Sequence, residues 1–132
     1  MTPRSPAQSM VLILATIVAG LAVRLVPLGL PSFLVKYGGS MLWAAMIYWI
    51  VSTLSPRWPW LIALLLSGSF ATAVEFFKLY RSPGMDAFRL TLPGMLLLGR
   101  YFSVRDIVAY WVAICATALL DSWLRRTQDR TA

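Results

Sequence analysis

The chain has 132 residues, of which 59% are hydrophobic and 13% are charged, and its mean hydropathy is +0.72. This balance excludes an ordinary soluble domain and favours one integral membrane domain, residues 1–132. The net charge of +7 does not indicate a nucleic-acid partner, because the basic residues border apolar runs instead of forming a polar face. With no histidine and one cysteine, most zinc sites, histidine-dependent catalysis and an internal disulfide are excluded, so we expect no metal and no cofactor.

Four apolar runs have close to the length that crosses a hydrocarbon core about 30 Å thick, and they predict four transmembrane helices. We place these helices at about residues 9–26, 39–54, 58–80 and 103–124. The first run could instead be a signal peptide, because Arg4 precedes an apolar core that contains small residues. It continues past Arg24 and ends at Pro27, which is typical of a helix end, so the spanning helix is favoured.

The chain between the third and fourth helices predicts a short segment that re-enters the membrane or lies at its surface. Residues 82–85, Ser-Pro-Gly-Met, suit a type II turn. Asp86 could then cap a helical turn that ends at Pro93. Residues 95–98 are apolar but too few to span. We therefore expect an all-α bundle of four transmembrane helices with one re-entrant or interfacial segment.

Local features explain some polar residues without a functional role. Ser103 and Asp106 have the spacing of a capping box, which starts the fourth helix at Ser103. The C-terminal run of charges after residue 124 resembles simple membrane-flanking charge. Gly68 and Thr72 share a face of the third helix, where small residues let a neighbouring helix approach closely. Counting basic residues on the two sides leaves the orientation open, with a preference for both termini in the cytoplasm.

Charged residues from separate runs are predicted to meet at one end of the bundle, where Arg24, Lys36, Glu75 and Asp106 arrive; we call this end the charged mouth. At 1.5 Å per residue, Arg24 and Glu75 lie roughly 22 Å and 25 Å along two helices that run in the same direction. An unpaired charge inside hydrocarbon costs about 2.5 to 3.5 kcal/mol. We therefore expect paired charges, foremost an ion pair between Arg24 and Glu75.

The candidate ligand-binding residues share charge and a place at or beside this mouth; they are Arg24, Glu75, Lys78, Arg81, Asp86 and Arg89. Their cationic groups suit an anionic lipid headgroup or a lipid-linked phosphate, so membrane lipids are the expected partners. The competing interpretation is that these cations only extend to the lipid headgroups around the protein.

Two further functions stay open at this point. One is a membrane enzyme with Glu75 or Asp86 as general base, whose other catalytic residues are unknown. The other is an accessory subunit that binds a larger membrane protein or a second copy of the chain.

Two long stretches resemble a known family. Residues 35–51, "VKYGGSMLWAAMIYWIV", and residues 74–112, together with Arg24, resemble the small bacterial membrane proteins of the domain of unknown function DUF2809. The family has an acidic residue where this chain has Ser40, and often glutamine where it has Lys78. A more distant similarity to VanZ-like membrane proteins, some linked to glycopeptide tolerance, rests on an acid near a helix end followed by Arg, Asp and a glycine-terminated segment. The closer resemblance implies a multi-pass protein of the bacterial cytoplasmic membrane and carries no established activity.

Overall fold

The computed structural model describes residues 5–25, 29, 31–54, 57–80, 82–97 and 104–131, without the side chains of residues 95–97 and 128–131. Within these ranges the chain forms six helices: α1 Pro6–Leu25, α2 Ser32–Leu54, α3 Trp60–Phe77, α4 Pro83–Leu90, α5 Leu92–Leu97 and α6 Val104–Thr131. Helices α1, α2, α3 and α6 are long and apolar enough to cross a membrane. The described chain has no strand, so the predicted all-α class with four spanning helices is confirmed.

Helix α1 begins before residue 9 and α6 extends beyond residue 124, and the start of α2 and the end of α3 differ from the prediction for local reasons. Helix α2 begins at Ser32 instead of residue 39, because the apolar residues before Lys36 extend the spanning run and the carbonyl of Pro31 accepts from the N–H groups of Leu34 and Val35. Helix α3 ends at Phe77 instead of residue 80. The three N–H groups that follow donate to carbonyls only three residues back, which tightens the last turn and ends the α-helix.

Helix α2 is the central helix of the bundle. It packs against α1, α3 and α6, and α3 also packs against α6, whereas α1 packs against α2 alone among the described helices. Small buried residues such as Ala44, Ala71 and Ala113 let α2, α3 and α6 come close together around Tyr48 and Ile114. Many large apolar side chains point outward, as expected for helices that face lipid.

The face of α3 that carries small residues receives a neighbouring helix, as predicted, and the structure identifies that helix as α6. A Cβ atom at Gly68 would overlap the ring of Trp111, so only glycine leaves room for that ring. The indole Nε1 of Trp111 donates a hydrogen bond of 3.0 Å to the hydroxyl of Thr72. Close approach and a polar contact therefore join the two helices at one place.

The segment between α3 and α6 is more helical than the predicted type II turn, and that part of the prediction is wrong. Ser82 is the N-cap of α4, and its hydroxyl accepts a hydrogen bond of 3.2 Å from the N–H of Met85. Pro83 occupies the first helical position, where its missing N–H costs nothing. Asp86 therefore lies inside the first turn of α4 instead of capping it.

A sharp corner joins α4 to α5. The hydroxyl of Thr91 accepts from the N–H of Gly94 at 3.2 Å. A Cβ atom at Gly94 would collide with the carbonyl of Phe88, so glycine is needed for this close approach. Leu92 and Pro93, which follow this corner, line a pocket together with residues of α1 and α2.

Candidate functional site

The charged mouth contains a buried ionic cluster built by the last turn of α3 and the first two turns of α6. Glu75 is fully buried, and its Oε2 lies 2.7 Å from the Nζ of Lys78. The hydroxyl of Tyr110 donates to the same Oε2 at 2.9 Å. The ammonium of Lys78 also lies 3.9 Å from Oδ2 of Asp106. One cation and one phenol thus lie against two buried carboxylates at this end of the bundle.

Lys78, and not the expected Arg24, is the cation paired with Glu75 among the described residues. Lys78 follows Glu75 by one turn on the same chain segment, so the contact needs no particular helix arrangement. Arg24 belongs to α1, which packs against α2 and does not approach α3. The ion pair between Arg24 and Glu75 that the sequence suggested is therefore replaced by a local one.

Arg24 occupies a different environment at the same end of the bundle. Its side chain is half-buried and lies directly against Gly39 of α2, where a Cβ atom would overlap its Nε. Among the described residues no carboxylate lies within ion-pairing distance of its guanidinium group. Its charge is therefore not neutralised by a direct contact in the described part of the chain.

An apolar groove begins beside Arg24 and follows the seam between α1 and α2; we call it the α1–α2 groove. Its volume is about 330 Å³, and it is lined by Thr16, Ile17, Gly20, Leu21, Arg24, Gly39, Leu42, Trp43, Met46, Leu92 and Pro93. The hydroxyl of Thr16 needs no hydrogen-bond partner in the groove, because it already donates to carbonyls of α1 at 2.8 and 3.1 Å. Trp43 joins the groove to the ionic cluster, since its ring centroid lies 5.2 Å from that of Tyr110.

Asp106 is the least satisfied member of the ionic cluster. Asp106 is 4% exposed, and its Oδ1 has no hydrogen-bond partner in the described part of the chain. Arg24 and Lys36 lie close enough to attract this carboxylate electrostatically, although neither forms an ion pair with it. The predicted capping contact with Ser103 lies outside the described residues. Sequence reasoning had treated Asp106 as a capping residue and left it out of the candidate site.

Arg89 and Asp86 form a separate group that attaches α4 to the end of α3. Arg89 is 2% exposed and donates to the carbonyls of Tyr80 at 2.7 Å and Phe77 at 2.9 Å. Asp86 lies 3.6 Å from the same guanidinium. A cation on the last carbonyls of a helix satisfies orphan acceptors and the negative end of the helix dipole. The structure thus brings Glu75 and Lys78 together and Asp86 and Arg89 together, while Arg81 lies outside the described residues.

A second buried polar cluster lies at the opposite end of the bundle, and we call it the Asp121 cluster: Tyr48, Ser52, Asp121 and Arg125. Asp121 is fully buried, accepts from Tyr48 at 2.7 Å and pairs with Nε of Arg125 at 3.1 Å. Arg125 also donates to Ser52 at 2.9 Å and to the carbonyl of Trp58 at 3.4 Å.

The Asp121 cluster corrects the interpretation of the C-terminal charges. Treating Arg125 as flanking charge was wrong, because this residue is only 3% exposed and is paired inside the bundle. One sequence signal could have revealed it. Asp121 stands inside an apolar run four residues before Arg125, which is the spacing of a helical ion pair.

The comparisons with known proteins give a family. A search of solved structures finds no match. The sequence model of one family, described as a protein of unknown function (DUF2809), matches residues 29–114. The matched region contains α2 to α5 and the start of α6, and therefore all of the buried ionic cluster, whereas Arg24 and the C-terminal half of α6 lie outside it. Because the match covers well over half of the chain, this helical protein with four candidate spanning segments belongs to the DUF2809 family.

Proposed function

We propose that this protein binds the phosphate of a membrane lipid at the charged mouth, with an acyl chain in the α1–α2 groove, in the bacterial cytoplasmic membrane. The observation that carries the proposal is Arg24, a half-buried cation without a carboxylate partner among the described residues, at the end of an apolar groove. The two features have the polarity of a lipid, charged at one end and hydrocarbon along the rest.

The electrostatic part of the argument starts from the cost of charge in hydrocarbon. A lone basic residue costs about 2.5 to 3.5 kcal/mol at the centre of a spanning helix and less near its end, where Arg24 lies, and basic residues within such helices are normally paired or functional. Lys78, Arg89 and Arg125 each have carboxylate partners in this chain. Arg24 retains a guanidinium that can donate two parallel hydrogen bonds to a phosphate. Lys36, which is exposed at the same end, adds a second positive charge nearby.

The packing part of the argument concerns the groove. Its volume of about 330 Å³ is within the size range of small-molecule sites, and its walls are almost entirely aliphatic or aromatic. Walls of this kind favour hydrocarbon over polar groups. Leu92 and Pro93 line the same groove as Arg24, so apolar side chains and a cation share its wall. An acyl chain that fills the groove would therefore place its headgroup next to Arg24.

The remaining predicted ligand contacts have weaker support. Glu75 pairs with Lys78, and Arg89 binds the carbonyls at the end of α3. We therefore propose that these three residues stabilise the structure of the mouth and do not contact the lipid directly. The enzymatic alternative with Glu75 as general base is less well supported, because that carboxylate already pairs with Lys78 and accepts a hydrogen bond from Tyr110. The accessory-subunit alternative is unaffected by these contacts and stays a prediction.

Lipid retention measured by native mass spectrometry tests the proposal. The full chain would be purified in mild detergent with phospholipid or with a polyisoprenyl phosphate, two sources that share the phosphate. Charge-assisted hydrogen bonds contribute about 1.5 to 3 kcal/mol, so Arg24→Gln should lower retention about 10- to 100-fold. Arg105→Gln, which removes an exposed cation of the same end, is the matched control. Equal retention by wild type and Arg24→Gln would refute the headgroup assignment.

A second pair of variants tests the groove independently. Met46→Trp fills the groove with a larger side chain and should lower the retention of lipids with full-length acyl chains. Leu65→Trp places the same side chain on the exposed face of α3, away from the groove, and should leave retention unchanged. If the two tryptophan variants retain lipid equally, the acyl chain does not occupy the groove.

A further inference from the structure

We propose that the lipid headgroup held at the charged mouth carries a primary ammonium group beside its phosphate, and that Oδ1 of Asp106 accepts a hydrogen bond from that ammonium. The inference deepens the lipid-binding function proposed above and rests on it. It assigns the ligand to the class of aminophospholipids.

The first step is the unsatisfied oxygen. Asp106 is 4% exposed, and its Oδ1 has no hydrogen-bond partner among the residues that the structure describes, whereas buried polar atoms in folded proteins nearly always have one. Leaving a buried charged acceptor without a donor is costly, and none of the described side chains around Asp106 supplies one. A ligand with N–H groups would satisfy this atom.

The second step is that the neighbouring cations do not satisfy Asp106. Lys78 lies 3.9 Å from Oδ2, which is too long for a hydrogen bond, and the same ammonium lies only 2.7 Å from Glu75. Lys36 is exposed, with its ammonium 5.4 Å from the centre of the Tyr37 ring. Arg24 lies against Gly39 at the groove. The described cations near Asp106 therefore attract it electrostatically but do not form a hydrogen bond with its Oδ1.

The third step combines two incomplete groups of opposite sign. Arg24 is a cation without a carboxylate partner among the described residues, and Asp106 is an anion with one unsatisfied oxygen. They lie at the same end of the bundle and within electrostatic range of each other. A headgroup with a phosphate and a primary ammonium presents the reverse pair of charges. In such a headgroup the phosphate would pair with Arg24 and the ammonium would donate to Asp106. A headgroup with phosphate alone would leave Asp106 without a donor.

The experiment compares headgroups on identical acyl chains with the full-length protein. The protein would be equilibrated with equal amounts of phosphatidylethanolamine, phosphatidylcholine and phosphatidylglycerol, and the bound lipids would be identified by native mass spectrometry. Phosphatidylcholine carries a positive charge but no N–H donor, and phosphatidylglycerol carries hydroxyl groups but no ammonium. We expect wild type to retain the ethanolamine lipid roughly tenfold over the other two, the ratio that one charge-assisted hydrogen bond supports.

Variants then test which residue causes the preference for the ethanolamine lipid. Asp106→Asn removes the negative charge and should lower the retention of the ethanolamine lipid to that of the other two lipids, which brings the preference close to one. Asp129→Asn, a change at the far end of α6, should keep the full preference. Arg24→Gln should lower the retention of all three lipids together.

The outcomes separate this inference from the function on which it rests. If Arg24→Gln retains phospholipid as well as wild type does, the proposed function itself fails. If wild type retains phospholipid but shows no preference for ethanolamine over choline, the ammonium assignment is overturned while lipid binding stands; this comparison needs no variant and holds even if Asp106→Asn fails to fold. If Asp106→Asn keeps the preference, Asp106 is not the acceptor. If Asp106→Asn and Arg24→Gln instead lose stability without any change in lipid preference, the two residues pair with each other and the inference also falls.

Discussion

Replacing Arg125 by alanine should destabilise the protein by about 3 kcal/mol, although the residue lies in a C-terminal run of basic charge. The change removes the charge-assisted hydrogen bond of 3.1 Å from Arg125 to Asp121 and the one of 2.9 Å to Ser52. Breaking a buried ion pair on one side typically costs 3 to 5 kcal/mol. We expect the lower end because Asp121 lies only about 9 Å from the end of the span at Thr127, and because Tyr48 still donates to it.

The assay is equilibrium unfolding by sodium dodecyl sulfate in mixed micelles, followed by far-ultraviolet circular dichroism. Arg126→Ala is the matched control, because this neighbouring arginine is exposed and its removal should change the free energy of unfolding by less than about 0.5 kcal/mol. The double variant Asp121→Asn with Arg125→Met removes both charges and should recover part of the loss. If Arg125→Ala costs no more than Arg126→Ala, the buried ion pair does not contribute to stability as argued.

Three further changes test the packing and charge assignments. Gly68→Ala should destabilise the protein by about 1 to 3 kcal/mol in the same unfolding assay, because the added methyl group overlaps the ring of Trp111; a loss below about 0.5 kcal/mol would show that the helices separate without strain. Lys78→Met should cost about 3 to 5 kcal/mol, because it leaves the fully buried Glu75 without that cation, and a neutral result would contradict the pairing. Arg89→Lys should speed hydrogen exchange in α4, because one ammonium cannot reproduce the two guanidinium bonds to the end of α3; unchanged exchange would mean that other contacts hold α4 in place.

The sequence was sufficient to predict the four spanning helices because their signal is local. Length and hydropathy are properties of each run alone, and they do not depend on how the helices are arranged. The convergence of charge at one end also follows from the rise per residue, which places Arg24 and Glu75 at similar depth in two parallel helices. The close packing at Gly68 was predictable for the same reason, since the small face belongs to one helix.

The pairing of charges was not predictable in the same way because it depends on which helices are neighbours. Arg24 and Glu75 have matching depth, but α1 packs against α2 alone, so depth does not bring them into contact. The hydrogen bond from Tyr48 to Asp121 joins residues 73 positions apart and exists only because α2 packs against α6. The local pair of Glu75 and Lys78 was visible as an i, i+3 spacing, but the spacing alone does not say that it excludes Arg24.

Gly39 explains why Arg24 can lie at the groove instead of pairing with a carboxylate, and it offers a test of that placement. The guanidinium lies where a side chain on Gly39 would be, so Gly39→Ala must displace it. The displaced atoms belong to a long, flexible side chain, and the free energy of unfolding should therefore change by less than about 1 kcal/mol. Lipid retention should nevertheless fall, because the cation is no longer positioned at the end of the groove.

Gly38→Ala is the matched control for Gly39→Ala, since its added methyl group would meet only Val23, at an ordinary contact distance of 3.7 Å. Retention that falls for Gly39→Ala and not for Gly38→Ala, at equal stability, would separate the position of the Arg24 charge from the packing of α1 on α2. Equal retention by both variants would mean that the position of Arg24 against Gly39 is a packing detail without a role in binding. In the proposed function the half-buried Arg24 beside Gly39 is the cation that meets the lipid phosphate, and this pair of variants tests that placement.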